Sequence, residues 1–179
     1  MIRTFIALPL PDDIKHSMQD AIAYLQKRTD AKWIRPEGMH ITLKFLGNIE
    51  ERLVKPIADG LDEIFGRFPL LHFALDTLGA FPSQKKARVI WAGLSGDTDR
   101  LKEVALRVDR LCSRFGIPLE TRPFSAHITL GRLKLPSVVE LDMEMAKAGF
   151  AVTEGHFYRS ELLREGARYT VLHVSRLGP

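Results

Sequence analysis

The sequence contains one tetrapeptide twice, and its polar side chains are suited to acid–base chemistry. His40-Ile41-Thr42-Leu43 recurs much later in the chain as His127-Ile128-Thr129-Leu130. Histidine titrates near neutral pH, so one imidazole can take a proton from water while a second gives a proton to a departing alkoxide. Threonine hydroxyls can donate hydrogen bonds to phosphate oxygens on which negative charge develops. The two copies together predict cleavage of a phosphate ester without a nucleophilic side chain.

The spacing within each copy predicts a β-strand with one polar face. Residues two apart on a strand point the same way, so His40 and Thr42 share one face and Ile41 and Leu43 the other. An isolated His-x-Thr usually reports a hydrogen-bonded histidine in or near a core. Repetition of the whole tetrapeptide favours function instead, and it suggests an internal duplication that places both polar faces in one groove.

A metal site is the other chemical interpretation of these histidines. Catalytic zinc usually has three protein ligands, and neither motif has a third His, Cys or carboxylate at a ligand-like spacing. We therefore predict a site with neither metal nor cofactor. The remaining histidines are expected to have surface or hydrogen-bonding roles and both tryptophans to be core residues: His16, His72, His156, His173, Trp33 and Trp91.

Strand and helix patterns alternate twice along the chain in a similar order. Strands are predicted at 2–9, 39–47, 70–80, 87–94, 127–133, 150–164 and 167–176. Apolar residues at every third or fourth position predict helices from Asp12 to about Thr29, from Asn48 through Ile64 with Glu51 as a capping partner, and from Asp97 or Thr98 to Gly116. Ser137 and Glu140 have the spacing of a capping box and predict a short helix that Gly149 ends.

The connections between these elements favour one fold class. Several strands follow each other across short turns, which favours antiparallel pairing over a parallel doubly wound sheet. No Pro/Gly/Ser-rich linker divides the chain. We predict an α+β fold in which residues 1–179 form a single domain of two intimately packed lobes, each contributing one His-x-Thr motif.

Composition sets broad limits on the function. The net charge of +4 favours an anionic partner without identifying one. No apolar run has the roughly 18 residues that a membrane span needs, and the first residues lack a secretion signal, so we expect a soluble, unprocessed, cytoplasmic protein. The single cysteine, Cys112, excludes an intramolecular disulfide and is expected to be a buried thiol.

Longer blocks around the two motifs form a recognisable set. They are RTFIAL at 3–8, WIRPEGMHITLKFLG at 33–47, RVIWAGL at 88–94, RPFSAHITLGR at 122–132 and a late segment with Tyr158, Ser160, Leu162 and Tyr169. These blocks, which span nearly the whole chain, resemble the 2H phosphoesterase superfamily and within it the RNA 2′,3′-cyclic phosphodiesterases, historically called 2′-5′ RNA ligases. The resemblance implies a bilobal, pseudo-twofold fold with two mainly antiparallel sheets lining a central cleft and helices outside.

The same resemblance implies an activity and roles for four residues. Such enzymes hydrolyse a terminal 2′,3′-cyclic phosphate of RNA to a 2′-phosphomonoester, with weak reversible 2′-5′ joining of tRNA half-molecules. By this resemblance His40 is the proton donor to the leaving 3′ oxygen, His127 is the proton acceptor from water, and Thr42 and Thr129 hold the phosphate. Residue chemistry alone leaves the acid and base interchangeable. The implied partners are RNA ends with a cyclic phosphate, tRNA halves among them, and a monomer with no membrane association is expected.

Two further residues are candidate substrate contacts. Arg132 resembles a phosphate or RNA contact of the family, and Phe45 is either a base-stacking residue or part of the core. Each lies five positions after its histidine, so strand alternation places it on the opposite face unless a bulge intervenes. Ala126 stands where relatives often have proline, which removes no catalytic group.

Two other functions remain open from the sequence. The same fold could act on small cyclic nucleotides or ADP-ribose cyclic phosphate, which relative rates on mononucleotide and oligonucleotide substrates would decide. A non-catalytic RNA-binding module is the third hypothesis, and the presence of both complete His-x-Thr pairs argues against it.

Overall fold

Runs of β-branched and apolar residues form most of the nine strands in the computed structural model, which describes residues 1–178. The strands are β1 (Ile2–Pro9), β2 (Lys32–Trp33), β3 (His40–Ile49), β4 (Leu71–Phe81), β5 (Ala87–Gly96), β6 (His127–Ser137), β7 (Gly149–Val152), β8 (Glu154–Leu163) and β9 (Gly166–Arg176). The helices are α1 (Asp12–Leu25), α2 (Val54–Phe65) and α3 (Thr98–Ser113). The strand expected at 150–164 is thus divided into two, and the short β2 is an addition.

The strands form two antiparallel sheets. One has the order β3-β1-β8-β9 and the other the order β2-β6-β5-β4-β7. The antiparallel α+β prediction is confirmed. Each sheet contains one His-x-Thr strand, and these two strands, β3 and β6, contact each other across the sheets.

The apolar residues of both motifs anchor their strands in the core. Ile41 and Leu43 are buried in one sheet, as are Ile128 and Leu130 in the other. All four belong to one contiguous cluster of buried side chains. The expected division between a buried apolar face and a more accessible polar face is therefore confirmed in both copies.

Two amphipathic helices pack together and against the sheet that contains His40. Helix α2 contacts β8 and β9, whereas α3 contacts α2 and β3. Gly60 permits the close approach of the helices, because a Cβ there would lie 2.5 Å from a terminal methyl of Leu111. Cys112 on α3 is buried as predicted, and burial raises the pKa of its thiol to about 12.

The predicted helix between Ser137 and Gly149 is wrong. Ser137 ends β6, and residues 138–148 have no regular secondary structure. The burial pattern explains the error, since Val139, Leu141 and Met143 face inward while the residues between them are exposed. This alternation is the period of extended chain, and it outweighs the capping-box spacing of Ser137 and Glu140.

The start of α2 also differs from expectation. Asn48 is still part of β3, and Glu51 lies in a single 3₁₀ turn ahead of the helix, which begins at Val54 without a side-chain cap. Helix α1 ends at Leu25, four residues before the expected Thr29. No helix in residues 1–178 combines the length and the apolar character needed to cross a bilayer.

Candidate active site

The two His-x-Thr strands share a structural irregularity as well as a sequence. In β3 the pairing with β1 skips Leu43, and in β6 the pairing with β5 skips Leu130. Each skip is a bulge that turns two consecutive residues inward, Leu43 with Lys44 in one strand and Leu130 with Gly131 in the other. The first eight residues of both strands consequently have the same pattern of burial.

The bulges move Phe45 and Arg132 to the face that bears the histidines. Simple alternation would place them on the opposite face, and the extra inward residue reverses that parity. Phe45 is 57% exposed and therefore is not a core residue, and its ring centroid lies 5.8 Å from that of Phe5. Arg132 is exposed and pairs with Val89 of β5.

Aromatic rings surround His40, which is half-buried at the start of β3. Its ring centroid lies 4.9 Å from Phe5, 5.7 Å from Tyr169 and 6.2 Å from Tyr158. Tyr158 in turn stacks on Phe5 at 4.9 Å. Phe5, Tyr158 and Tyr169 all stand in the sequence blocks that resemble the family, but none of them was predicted as a site residue.

His127 lies against a second aromatic pair at the start of β6. Its ring is 5.2 Å from Phe81 and 6.2 Å from Trp91, measured between centroids. Trp91 is half-buried and pairs with Thr129 across β5 and β6, so it faces the site and the core prediction for it is wrong. On the neighbouring strand Gly79 leaves room for the indole, since a Cβ at that position would overlap the ring.

A backbone hydrogen bond fixes the protonation of the His127 ring. Nδ1 lies 2.8 Å from the carbonyl oxygen of Ser125. A carbonyl can only accept, so Nδ1 carries the proton and the neutral ring has an unprotonated Nε2. The neutral His127 ring therefore has its basic lone pair on Nε2, which residue types alone could not show.

The electrostatics link His40, His127 and Arg132 in one environment. Burial lowers the pKa of His40 to about 4, and the charges of Lys15, Arg132 and His127 contribute to this lowering. Burial also lowers the pKa of His127, as does Arg132, against the opposing effect of its hydrogen bond to Ser125. Such a site favours neutral imidazoles when empty and attracts an anion, whose charge would raise the pKa of both histidines.

Thr42 and Thr129 share the accessibility of their histidines. Both are half-buried and lie two positions after His40 and His127, before the bulges. Their hydroxyls therefore extend from the same strand faces as the two imidazoles. All six predicted site residues lie on the more accessible faces of β3 and β6, and the charges of His127 and Arg132 act on His40.

Beneath the site, Lys44 forms a buried ion pair that sequence analysis did not anticipate. Its Nζ lies 2.6 Å from Oδ1 of Asp109 on α3 and 2.9 Å from the carbonyl oxygen of Pro118. Burial opposes the positive charge, but the hydrogen bond and charge of Asp109 outweigh it and raise the pKa of Lys44. This contact joins the bulge of β3 to the segment that leads toward the second motif.

The other histidines have the ordinary roles expected of them. His156 lies between the Tyr158 hydroxyl and Glu154, at 2.9 and 2.7 Å, and His173 lies 2.8 Å from a carboxylate oxygen of Asp62. His16 and His72 are exposed. Across residues 1–178 no group of three His, Cys, Asp or Glu side chains is arranged to hold a metal ion.

The fold and the paired motifs define a phosphoesterase of the 2H class, and comparison with known families identifies the family. The chain matches the model described as "LigT like Phosphoesterase" over residues 8–91 and 93–169. This match covers most of the sequence. The protein therefore belongs to the LigT-like phosphoesterase family, which confirms the resemblance found from its motifs.

Individual relatives agree over almost the full length. A protein of Thermotoga maritima named RNA 2′,3′-cyclic phosphodiesterase is 33% identical over 96% of this chain and 94% of its own. One of the same name from Aeropyrum pernix is 32% identical over 87% of this chain and 90% of its own. Among solved structures, E. coli LigT complexed with ATP superposes with a TM-score of 0.85 at 26% identity, covering 99% of both chains. The protein TT0787 of Thermus thermophilus gives 0.88 at 25% identity and 98% of both.

Proposed function

We propose that this protein hydrolyses the 2′,3′-cyclic phosphate at RNA ends to a 2′-phosphomonoester by metal-independent acid–base catalysis. The observation that supports this most strongly is the duplicated strand, in which a histidine and a threonine face the same side before an identical bulge in both copies. The name shared by the relatives points to the same reaction. Residues 1–179 act as one domain whose two lobes each supply half of the site.

In the proposed reaction His127 is the base and His40 the acid. Nε2 of His127 removes a proton from water, whose oxygen bonds to phosphorus as the bond from phosphorus to the 3′ oxygen breaks. Protonated His40 gives its proton to that 3′ oxygen, which leaves a 3′-hydroxyl and a 2′-phosphomonoester. The hydrogen bond from Nδ1 of His127 to the Ser125 carbonyl supports this direction, because it leaves Nε2 free to accept.

His40 must be protonated to act as an acid, although its pKa is low in the empty site. A bound phosphate anion offsets the repulsion from Arg132 and His127 and raises that pKa toward the working range. Thr42 and Thr129 donate hydrogen bonds to the non-bridging oxygens as charge grows in the transition state. Arg132 adds a charged donor, and Phe45 stacks on a base of the RNA.

The direct test is an oligoribonucleotide ending in a 2′,3′-cyclic phosphate, incubated with the protein and excess chelator. Conversion to a 2′-phosphate end is the expected result. Unchanged substrate would refute the proposal, and a 3′-phosphate product would reverse the assigned direction of ring opening. The same assay run with paired tRNA halves bearing cyclic-phosphate and 5′-hydroxyl ends tests the weak 2′-5′ joining that we propose as a further activity.

A small nucleotide is the second candidate substrate. E. coli LigT has been solved in complex with 3′-AMP and with NADP+, and it covers 98% or more of this chain. The aromatic residues around both histidines here would accept a single base as readily as the end of an RNA. Comparing kcat/KM for a cyclic mononucleotide, ADP-ribose cyclic phosphate and an oligonucleotide decides between the two candidate substrates.

We further propose that the enzyme acts as a cytoplasmic monomer. Sedimentation would test the oligomeric state, and cell fractionation would test the location.

A further inference from the structure

A second basic surface lies on the outer side of the molecule, in the groove between α2 and α3. The groove has a volume of about 600 Å³ and is lined by residues of both helices and of the turns that follow them. Lys44 points away from the face that bears His40, and it meets Asp109 of α3. The groove therefore lies behind the sheet, separate from the histidine site.

Helical periodicity places three arginines along one side of this groove. Arg107, Arg110 and Arg114 are three and four positions apart on α3 and at its C-terminal end, and they line the groove together with Arg67 after α2. Because an α-helix rises 1.5 Å per residue, Arg107 and Arg114 are separated by roughly 10 Å along the axis. The row is long enough to contact more than one phosphate.

Most of this positive charge has no carboxylate partner within residues 1–178. Arg107 pairs with Glu103 at 2.6 Å, and Asp59 on the opposite side pairs with Lys55 at 2.8 Å. Within the part of the chain from 1 to 178, no carboxylate lies within ion-pair distance of three exposed arginines, which are Arg67, Arg110 and Arg114.

The rest of the groove matches other parts of a nucleotide chain. Ile64 and Phe115 are half-buried and provide apolar surface on which a base or sugar can pack. The carboxylate of Glu63 can accept hydrogen bonds from ribose hydroxyls or base amines. Guanidinium groups bind phosphate oxygens through two parallel donors, which makes arginine better suited than lysine to this position.

We propose that the α2–α3 groove binds the phosphodiester backbone of the single-stranded RNA body, upstream of the cyclic phosphate in the histidine site. This inference rests on the proposed function and names the part of the substrate that the catalytic site does not hold. The groove and the histidines lie on opposite sides of one sheet, so only an RNA long enough to pass around the edge of that sheet can occupy both. Binding energy from the groove should therefore depend on RNA length.

The test compares Arg110→Glu/Arg114→Glu with wild type on a cyclic mononucleotide and on RNAs of about 4 to 24 nucleotides, all ending in a 2′,3′-cyclic phosphate. Arg52→Glu/Arg100→Glu is the control, since it makes the same change in net charge at two exposed positions outside the groove. We expect unchanged kcat/KM on the mononucleotide and a rise in KM of at least about fivefold on the longest RNA. The slope of log affinity against log salt should fall by about 0.7 for each lost phosphate contact. Arg110→Lys/Arg114→Lys keeps the positive charge but loses the paired donors, so its loss of affinity should be smaller than that of the double Glu variant.

Three results would overturn the proposal. Equal losses on mononucleotide and long RNA would indicate an indirect effect on the fold, and no loss on either would exclude the groove as an RNA site. ATP could instead raise the melting temperature of the wild type but not of the double variant, while KM does not depend on RNA length. That result would assign the groove to free nucleotides. If the wild type cleaves none of the substrates, the proposed function is refuted but the groove proposal is not yet tested. Filter binding of a 24-nucleotide RNA without a cyclic end, by wild type and by the double variant, then tests the groove separately.

Discussion

The strands β3 and β6 are alike in backbone and burial but differ in what surrounds their histidines. Both begin with the histidine and have a bulge at the fourth and fifth residues. The sixth residue, Phe45 or Arg132, therefore lies on the same face as the histidine. His40 lies among three aromatic rings, whereas His127 is fixed by the Ser125 carbonyl. The two strands thus place their histidines in equivalent positions, and the residues around those positions make the two histidines chemically different.

The two bulges also carry different side chains at equivalent positions. The inward residue after the bulge is Lys44 in one copy and Gly131 in the other, and the residue after that is Phe45 or Arg132. Strand β3 thus has the exposed ring of Phe45 and the buried cation of Lys44. Strand β6 has the exposed cation of Arg132, and Gly131 leaves space for the Trp33 ring, which a Cβ there would approach to 2.7 Å. Only Phe45 and Arg132 lie on the faces that bear the histidines, so a phosphate with its base would meet a ring from β3 and a cation from β6.

The largest expected effect comes from removing either histidine. His40→Ala and His127→Ala should each lower kcat on a cyclic-phosphate RNA by about a hundredfold or more, the contribution typical of a general acid or base. His72→Ala, at an exposed position away from both motifs, is the control and should be unaffected.

A substrate with a more acidic leaving group distinguishes the proposed acid, His40, from the proposed base, His127. A p-nitrophenyl phosphodiester needs no protonation of its leaving oxygen, so His40→Ala should regain most of its activity on it while His127→Ala does not. The opposite pattern would exchange the acid and base assignments, and equal recovery of both variants would contradict a division of roles.

The next effect concerns stability at the bulge of β3. Lys44→Met leaves Asp109 buried without its ion-pair partner, and the free energy of unfolding should fall by about 3–5 kcal/mol in a urea titration. Lys44→Met combined with Asp109→Leu should recover a large part of that loss. Lys55→Met breaks an exposed pair and should cost less than about 1 kcal/mol, which separates burial from charge. A loss for Lys44→Met no larger than the control would remove the assigned role of this ion pair.

A smaller effect is expected from the ring that the bulge turns toward the site. Phe45→Ala should raise KM for an RNA substrate by roughly tenfold with little change in kcat, since stacking of one base is worth about 1–3 kcal/mol. Leu70→Ala removes an exposed apolar side chain just ahead of β4 and serves as the control. An equal change in both variants would show that Phe45 has no specific contact with RNA.

The smallest effect is a shift in pH dependence on removing Arg132. Without this charge the imidazolium forms are less disfavoured, so the pKa of both histidines should rise and the acid limb of kcat/KM should move to higher pH.

The low pKa of His40 also makes the stability of the protein depend on pH. The folded state excludes a proton from His40 that the unfolded chain binds between pH 6.5 and about 4, so wild-type stability falls as pH decreases through that window. Arg132→Gln should lose less stability there, and an unchanged limb and window would show that Arg132 does not act on the histidines.

Local periodicity was enough to predict most of the fold. Alternation identified the strands that contain Ile41 and Ile128, and short connections identified their antiparallel pairing. It failed at residues 138–148, where a capping pattern conflicted with an alternation of apolar residues that the structure follows. Tertiary packing decided between these two local signals.

The site was predictable in its four motif residues and incomplete in its surroundings. Two extra inward residues reversed the parity of Phe45 and Arg132, and no local signal gives the register of strands that are distant in the chain. For the same reason Trp91 was assigned to the core, because its position opposite Thr129 depends on how β5 pairs with β6. The ion pair of Lys44 with Asp109 likewise joins segments whose proximity is set by the fold alone.

The position of β1 has a consequence for synthesis of the protein. Strand β1 lies between β3 and β8, so one of its two edges has no neighbour until β8 has left the ribosome. The nascent chain would present an unpaired edge next to the His40 strand for most of translation, a surface that invites pairing with other chains. The aromatic surroundings of His40 are thereby incomplete until β8 and β9 have been synthesised, and chaperone binding to stalled ribosomes should decline once β8 emerges.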